Sequence, residues 1–204
     1  NLGIESKVLY NPLPKNDSVS TTYEEGYVLF AGRLEREHKG LDYLIDVIKK
    51  ISEEVPELRV TIIGDGPSHN WLNAEIEKAG LGEKVNLLGT TDNVYQFYER
   101  ASVMVQTSRW EGFGMTILEA MSCGIPVVAF HNYGPDEIVR DSVDGYLVDH
   151  FDTETFAKKV VEILKQPEQR KQMGKCAIER SRDFSLEKVL PLFKQYLEEA
   201  TKGL

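Results

Sequence analysis

The most informative stretch of the sequence is Trp110-Glu111-Gly112-Phe113-Gly114, followed at once by the apolar, helix-forming run Met115 to Ser122. Gly112 and Gly114 permit backbone geometries and close approaches that a side chain would block. The helix opening there offers unsatisfied amide groups and the positive end of its dipole, which suits a phosphate. Glu111 and Glu119 flank the same turn, separated by the seven residues Gly112 to Leu118, with Glu119 about one turn inside the helix. A carboxylate beside a phosphate is repelled by it, so its natural partners are donors such as sugar hydroxyls. Arg33 and Lys39, in the segment Gly32-Arg33-Leu34-Glu35-Arg36-Glu37-His38-Lys39-Gly40, would supply the two cations a diphosphate needs. Taken together, these residues favour a nucleotide sugar over a plain nucleotide. Taken singly, each has a plainer reading. A surface Glu pair is solvated, a lone Gly-x-Gly marks a turn, and Arg33 pairs with Glu35 or Glu37 in a bridge worth about 0–1 kcal/mol.

What must position these residues is a strand-helix alternation. Short runs rich in Val, Ile and Leu occur at Tyr27–Ala31, Leu58–Ile63, Lys84–Leu88, Ser102–Val105, Pro126–Phe130 and Gly145–Val148. Between them, Leu41, Leu44, Ile45, Ile48 and Ile51 form one helical stripe, and Leu72, Ile76 and Ala79 form another behind a Ser68 cap. Right-handed crossovers then imply an α/β fold with a doubly wound, parallel, six-stranded Rossmann-like sheet. Closing helices are expected over Thr153–Lys165, Glu168–Asp183 and Ser185–Leu204. In such a sheet ligands bind beyond the carboxyl ends of the strands. The candidate segments fall there: Gly32–Gly40 after the first strand, Gly64-Asp65-Gly66-Pro67 after the second, Gly89-Thr90-Thr91 after the third, and Thr107–Gly114 after the fourth. Trp110 and Tyr133 are candidates for stacking on a base or sugar, with local burial against the loop the favoured reading for Trp110. Asn11 to Thr22, polar and aperiodic with Pro12 and Pro14, looks like a linker, so residues 1–22 read as a junction leading into a domain at 23–204.

Composition removes several other functions. The 204 residues suffice for one hydrophobic core, and a net charge of -9 argues against affinity built on neutralising nucleic-acid phosphates. Cys123 and Cys176 are too few for a disulfide framework and suit a reducing, cytoplasmic setting. The start of the chain lacks the pattern of a signal peptide, and no apolar stretch approaches the ~20 residues of a membrane span. The absence of an initial Met suggests a fragment. Four histidines without metal-ligand spacing predict no metal. There is no Gly-x-Gly-x-x-Gly fingerprint after the second strand, no Walker loop and no Gly-x-Ser-x-Gly elbow.

Four motifs in order carry a resemblance: Phe30-Ala31-Gly32-Arg33-Leu34 with Lys39-Gly40, Ile63-Gly64-Asp65-Gly66-Pro67, Glu111-Gly112-Phe113-Gly114-Met115-Thr116-Ile117-Leu118-Glu119-Ala120-Met121, and Gly124-Ile125-Pro126-Val127-Val128-Ala129. From about Val8 onward the chain resembles the donor-binding half of retaining glycosyltransferases of family 4, with GT-B architecture. The resemblance implies a donor-binding set of Gly32, Arg33, Lys39, Gly64, Gly89, Thr90, Glu111, Gly112, Phe113, Gly114, Met115, Thr116 and Glu119. Within it, Arg33 and Lys39 hold the diphosphate, Glu111 orients the sugar, Glu119 binds the ribose, and Gly89 and Thr90 meet the base. Catalysis would rest on Glu111, Arg33 and Lys39, with the nucleotide sugar as substrate and no cofactor or metal.

The resemblance also implies a preceding acceptor-binding domain, absent here, and a glycan or lipid-linked acceptor. Lys7-Val8-Leu9-Tyr10-Asn11-Pro12 resembles the junction between the two domains. Tyr133-Gly134-Pro135-Asp136-Glu137 departs from the commoner Gly-Gly-x-x-Glu form and resembles the version found in enzymes that build surface polysaccharides, which makes a UDP-sugar the preferred donor. Peripheral attachment of the parent enzyme to the inner face of the membrane is an expectation by analogy only, since no basic amphipathic helix supplies it. A nucleotide-sugar epimerase of the same architecture and a non-catalytic nucleotide-binding module are the alternatives.

Overall fold

The computed structural model describes residues 7–14, 21–24 and 26–202; what the sequence suggests for residues 1–6, 15–20, 25 and 203–204 lies outside them. In chain order the elements are β1 (Tyr27–Ala31), α1 (Arg36–Lys39), α2 (Leu41–Glu54), β2 (Arg59–Ile63), α3 (His69–Lys78), β3 (Val85–Gly89), α4 (Tyr95–Tyr98), β4 (Val103–Gln106), α5 (Met115–Ser122), β5 (Val127–Phe130), α6 (Tyr133–Ile138), β6 (Gly145–Val148), α7 (Thr153–Lys165), α8 (Pro167–Ser181), a 3-10 turn (Arg182–Phe184) and α9 (Leu186–Lys202). The strands form one parallel sheet in the spatial order β3-β2-β1-β4-β5-β6. The order reverses between β1 and β4, so a crevice opens at the carboxyl ends of that pair.

The two faces of the sheet follow from strand alternation. Val28 and Phe30 of β1, Val103 and Val105 of β4, and Val128 and Phe130 of β5 point into one core with α2, α3 and α7. Tyr27, Leu29 and Ala31, with Met104, Val127 and Ala129, point into the other with α5, α6 and α8. Phe30 and Phe130, 0% and 1% exposed, each contribute about 1.5–3 kcal/mol by burial. The end of the chain folds back as α8, opened by Pro167 at its first turn, and the 3-10 turn. There Leu13 donates its amide to Phe184 O at 2.8 Å, and Tyr10 stacks on Phe113 and meets Phe184 edge to face. Thr21 and Tyr23 bond to the carbonyls of Cys123 and Gly124. The described parts of the lead-in are therefore laid onto the body of the fold.

Three short helices, α1, α4 and α6, occupy segments that the sequence pattern leaves as loops; none is long enough to show a periodic stripe. Ser68 sits at the start of α3 but does not cap it. Its Oγ accepts the Arg36 amide at 2.9 Å instead, so it satisfies the first amide of α1. The carboxyl ends of β1, β2 and β3 are also laced together through backbone. The Gly32 amide donates to Ile63 O at 2.9 Å, and that of Gly64 to Gly89 O at 2.8 Å. Gly64 has φ +136, and a Cβ there would lie 1.9 Å from Gly32 O.

Gly64→Ala is expected to cost roughly 3–5 kcal/mol, from strain plus overpacking. Gly80→Ala, at φ +70 with open space around it, should cost only about 1–2 kcal/mol. Urea unfolding midpoints separate the two, and equal losses would mean that the crossing of the Gly32 and Gly64 backbones relaxes freely.

Candidate functional site

At the β1/β4 crevice lies a hollow of about 250 Å³, lined among others by Gly32, Arg33, Gly64, Thr90, Thr116 and Glu119. A larger one of about 420 Å³, lined by Glu24, Arg59, Lys84 and Arg100 among others, sits at the opposite, amino-terminal end of the strands. None of the residues singled out by the sequence lines the latter. Chemistry in an open parallel sheet belongs to the carboxyl end, so the smaller hollow is the candidate site.

Beside it, Lys39 Nζ donates to Glu111 Oε2 at 2.7 Å, with the two side chains 15% and 12% exposed. Gln106 Nε2 and Ser108 Oγ approach the same oxygen at 3.4 Å. Gln106 also reaches Thr116 Oγ1 at 3.4 Å, which links the Glu111 network to the wall of the hollow. The buried Asn132 holds the turn from the other side, donating to Ser108 O at 2.9 Å and accepting the Glu111 amide at 3.2 Å. Gly134 is required nearby, because a Cβ there would meet Phe113 O at 2.1 Å. Gly114, at φ +99, turns the chain into α5, whose first amides at Met115 and Thr116 have no intrahelical acceptor.

Lys39 is itself held by its backbone. Thr107 Oγ1 donates to Lys39 O at 3.1 Å, and the Arg109 amide donates to His38 O at 3.0 Å. The Arg109 guanidinium bonds both oxygens of Asp42, at 2.9 and 2.6 Å, and also the carbonyls of Arg36 and Glu37 in α1. It stacks over Tyr43 as well. Partial burial pushes the Asp42 carboxyl upward, but the Arg109 bonds more than offset this and hold it below its ordinary 3.8.

Glu119 lies in the hollow proper. Burial raises its carboxyl above the ordinary value, against the lowering effect of the Tyr98 hydroxyl, which donates to Oε2 at 3.1 Å. Arg33 has a side chain 69% exposed and meets Glu35 at 2.6 Å, which is the plainer of its two readings.

The structure thus brings Gly32, Arg33, Gly64, Thr90, Thr116 and Glu119 to one hollow and sets Lys39 and Glu111 beside it. Gly112 stands in open space, as does Gly89 at the end of β3. The Phe113 ring turns away from the hollow, toward Tyr10 and Phe184 at 5.7 and 5.9 Å. The burial favoured for Trp110 is not found: the ring is 59% exposed, with His38 its ring neighbour. The sequence pattern does not single out Gln106, Asn132 or Tyr98, and it includes Ser108 and Arg109 only as members of the Thr107–Gly114 segment, without a role. The one available signal was the polar run Gln106-Thr107-Ser108 closing an otherwise apolar strand. Among the described residues no group of three or more His, Cys, Asp or Glu could hold a metal ion, and no helix is long and apolar enough to cross a membrane.

The sheet order and the ligand edge define a Rossmann-like α/β domain with added C-terminal helices, of the kind found in GT-B glycosyltransferases. Residues 15–180 match the family model described as glycosyl transferases group 1, and the chain belongs to that family. It is 34% identical over 204 residues to an uncharacterized glycosyltransferase of Methanocaldococcus jannaschii, covering 98% of this chain and 55% of that protein. Among solved structures it is similar to a TarM variant from S. aureus in complex with Fondaparinux, alpha-GlcNAc-glycerol and UDP, with a TM-score of 0.88 and 26% identity over 95% of this chain and 40% of the other. It is also similar to HepE of Anabaena in complex with UDP and glucose, with a TM-score of 0.77 and 25% identity over 88% of this chain and 49% of the other. The chain thus spans about half the length of the relatives it matches.

A lowered carboxyl value means that the Asp42–Arg109 pair stabilises the fold above pH 3.8 and that this contribution is lost as pH falls through the folded value. Asp42→Asn should therefore cost about 1–3 kcal/mol at neutral pH, and the gap to the parent should narrow only once pH drops toward 3.8 and close as it falls through the lower folded value. Denaturant titrations at several pH values test this; a gap independent of pH would show that the ion pair is not its source. Glu119 has the opposite sign. Its raised value makes the ionised form a cost at neutral pH, so Glu119→Gln, which keeps an acceptor for Tyr98, should raise the melting temperature of the free protein.

Proposed function

We propose that this chain is the donor-binding half of a retaining hexosyltransferase that moves a sugar from a nucleoside diphosphate, UDP by preference, to a glycan or lipid-linked acceptor. The observation that carries the reading is the convergence of Arg33, Lys39 and the start of α5 on the hollow at the β1/β4 crevice, with Glu111 and Glu119 at hand. The family supports it, as do structural relatives solved with UDP. Retention and the preference for UDP rest on the resemblance of the motifs and of the Tyr133–Glu137 segment.

In this reading the diphosphate draws Arg33 away from Glu35 and Lys39 away from Glu111. The two cations and the free amides of α5 then take up the charge that develops on the leaving diphosphate, a preorganised electrostatic clamp that needs no metal. Releasing Lys39 frees the Glu111 carboxylate to accept bonds from the sugar hydroxyls, so sugar and phosphate are engaged together. Glu119 accepts bonds from the ribose, and Gly89 and Thr90 border the base. An acceptor-binding domain preceding this one would close the other wall of the cleft, and the isolated half would bind donor with little turnover. Cytoplasmic placement belongs to the same proposal.

Isothermal calorimetry with UDP and GDP, in the presence of EDTA, tests the reading. UDP should bind at least tenfold tighter than GDP, and Arg33→Ala and Lys39→Ala should each weaken UDP about tenfold while leaving uridine nearly unchanged. Failure of both nucleotides to bind would sink the assignment. In the parent enzyme, an epimerised sugar formed from the UDP-sugar alone would favour the epimerase instead.

A further inference from the structure

We propose that Tyr98 is a positioning residue that sets ribose recognition, by fixing one oxygen of Glu119 so that the other faces the bound nucleotide. The inference rests on the donor-binding reading above and deepens it.

Tyr98 is the last residue of α4 and is 0% exposed, yet it belongs to the wall of the hollow together with Glu119 and Thr116. A buried phenol needs a partner for its hydroxyl, and the one it has is Glu119 Oε2, at 3.1 Å. A phenol has a single hydrogen to give, so the bond is directional: Tyr98 donates and the carboxylate accepts. Oε2 is thereby tied to α4, and the remaining lone pairs, those of Oε1 first, are left for donors in the hollow. Ribose presents such donors as two adjacent hydroxyls. The ring of Tyr98 is held in turn by edge contact with Tyr95 at 5.8 Å, so the hydroxyl has little freedom to swing away.

The charge state of Glu119 follows from the same contact. The titratable groups around it are Tyr98 and Tyr95 of α4 and Cys123 beyond the end of α5, with Arg33 and Asp65 on the facing loops of the hollow. Burial alone raises the Glu119 carboxyl and favours its protonated form, whereas the Tyr98 bond favours the ionised form. Removing the hydroxyl should push Glu119 further up, so that the carboxylate is lost at a higher pH.

The test is calorimetry of this chain and its Tyr98→Phe variant with UDP and with 2′,3′-dideoxy-UDP, each over a range of pH. The variant should lose about tenfold in affinity for UDP and less than about twofold for the dideoxy nucleotide, and its UDP affinity should fall away at a higher pH than the parent's. In a Glu119→Ala background Tyr98→Phe should change nothing further. If Tyr98→Phe does not fold, Tyr98→Met, which also removes the donor, fills much of the same space and leaves Glu119 in place, should give the same selective loss. Equal loss of both nucleotides, or UDP binding unchanged at every pH, overturns the positioning role while leaving the donor site standing. No UDP binding by the parent, or a Glu119→Ala variant that still prefers UDP to the dideoxy form, overturns the donor-binding reading and this inference with it.

Discussion

The ion pair between Lys39 and Glu111 is the contact on which the ligand edge depends. It joins the segment after β1 to the segment after β4 across the place where the strand order reverses, so it sets the width of the crevice. Both side chains are largely withdrawn from water, and a pair in that setting gains from mutual attraction about what it loses in hydration. Such a contact adds little net stability, but it is a good latch: a ligand with stronger charge can replace either partner without dismantling the fold.

The surrounding structure holds the latch in register. Arg109 and Thr107 fix the backbone of α1, which presents Lys39, while Asn132 fixes the turn that presents Glu111. Gly134 lets α6 press against Phe113, where any side chain would collide. These groups are polar or small and sit behind the charged pair. The core beneath them is apolar on both sides of the sheet, which gives the polar layer a rigid floor.

The sheet was legible in the sequence because each strand is a short apolar run with a break at its carboxyl end, and the amphipathic stripes of α2 and α7 are long enough to count. The convergence of Arg33, Gly64, Thr116 and Glu119 was legible because parallel topology forces all strand exits to one edge. The supporting residues were not. Gln106 and Ser108 look like the polar end of a strand, and nothing local says that Asn132 reaches back to Ser108 or that Arg109 pairs with Asp42, since those contacts join segments far apart in sequence. Ser68 misled for a related reason: it has the residue type of a cap but serves a neighbouring helix. Large aromatic rings are usually covered, whereas here the turn projects Trp110 outward. Short helices such as α1 and α4 carry no periodicity, so Tyr98 could not be placed by pattern, and Lys39 is placed only because α1 follows the exit of β1.

The aromatic stack of Tyr10, Phe113 and Phe184 bears on how the molecule assembles. One ring comes from the lead-in, one from the turn that carries Glu111, and one from the 3-10 turn near the end of the chain. Contacts between such distant segments form late, because the entropy of closing long loops must be met before they can hold. During synthesis the turn at Gly112–Gly114 therefore lacks the last of its aromatic braces until Phe184 has emerged. The sheet can form first, and the ligand edge is the last part of the domain to set.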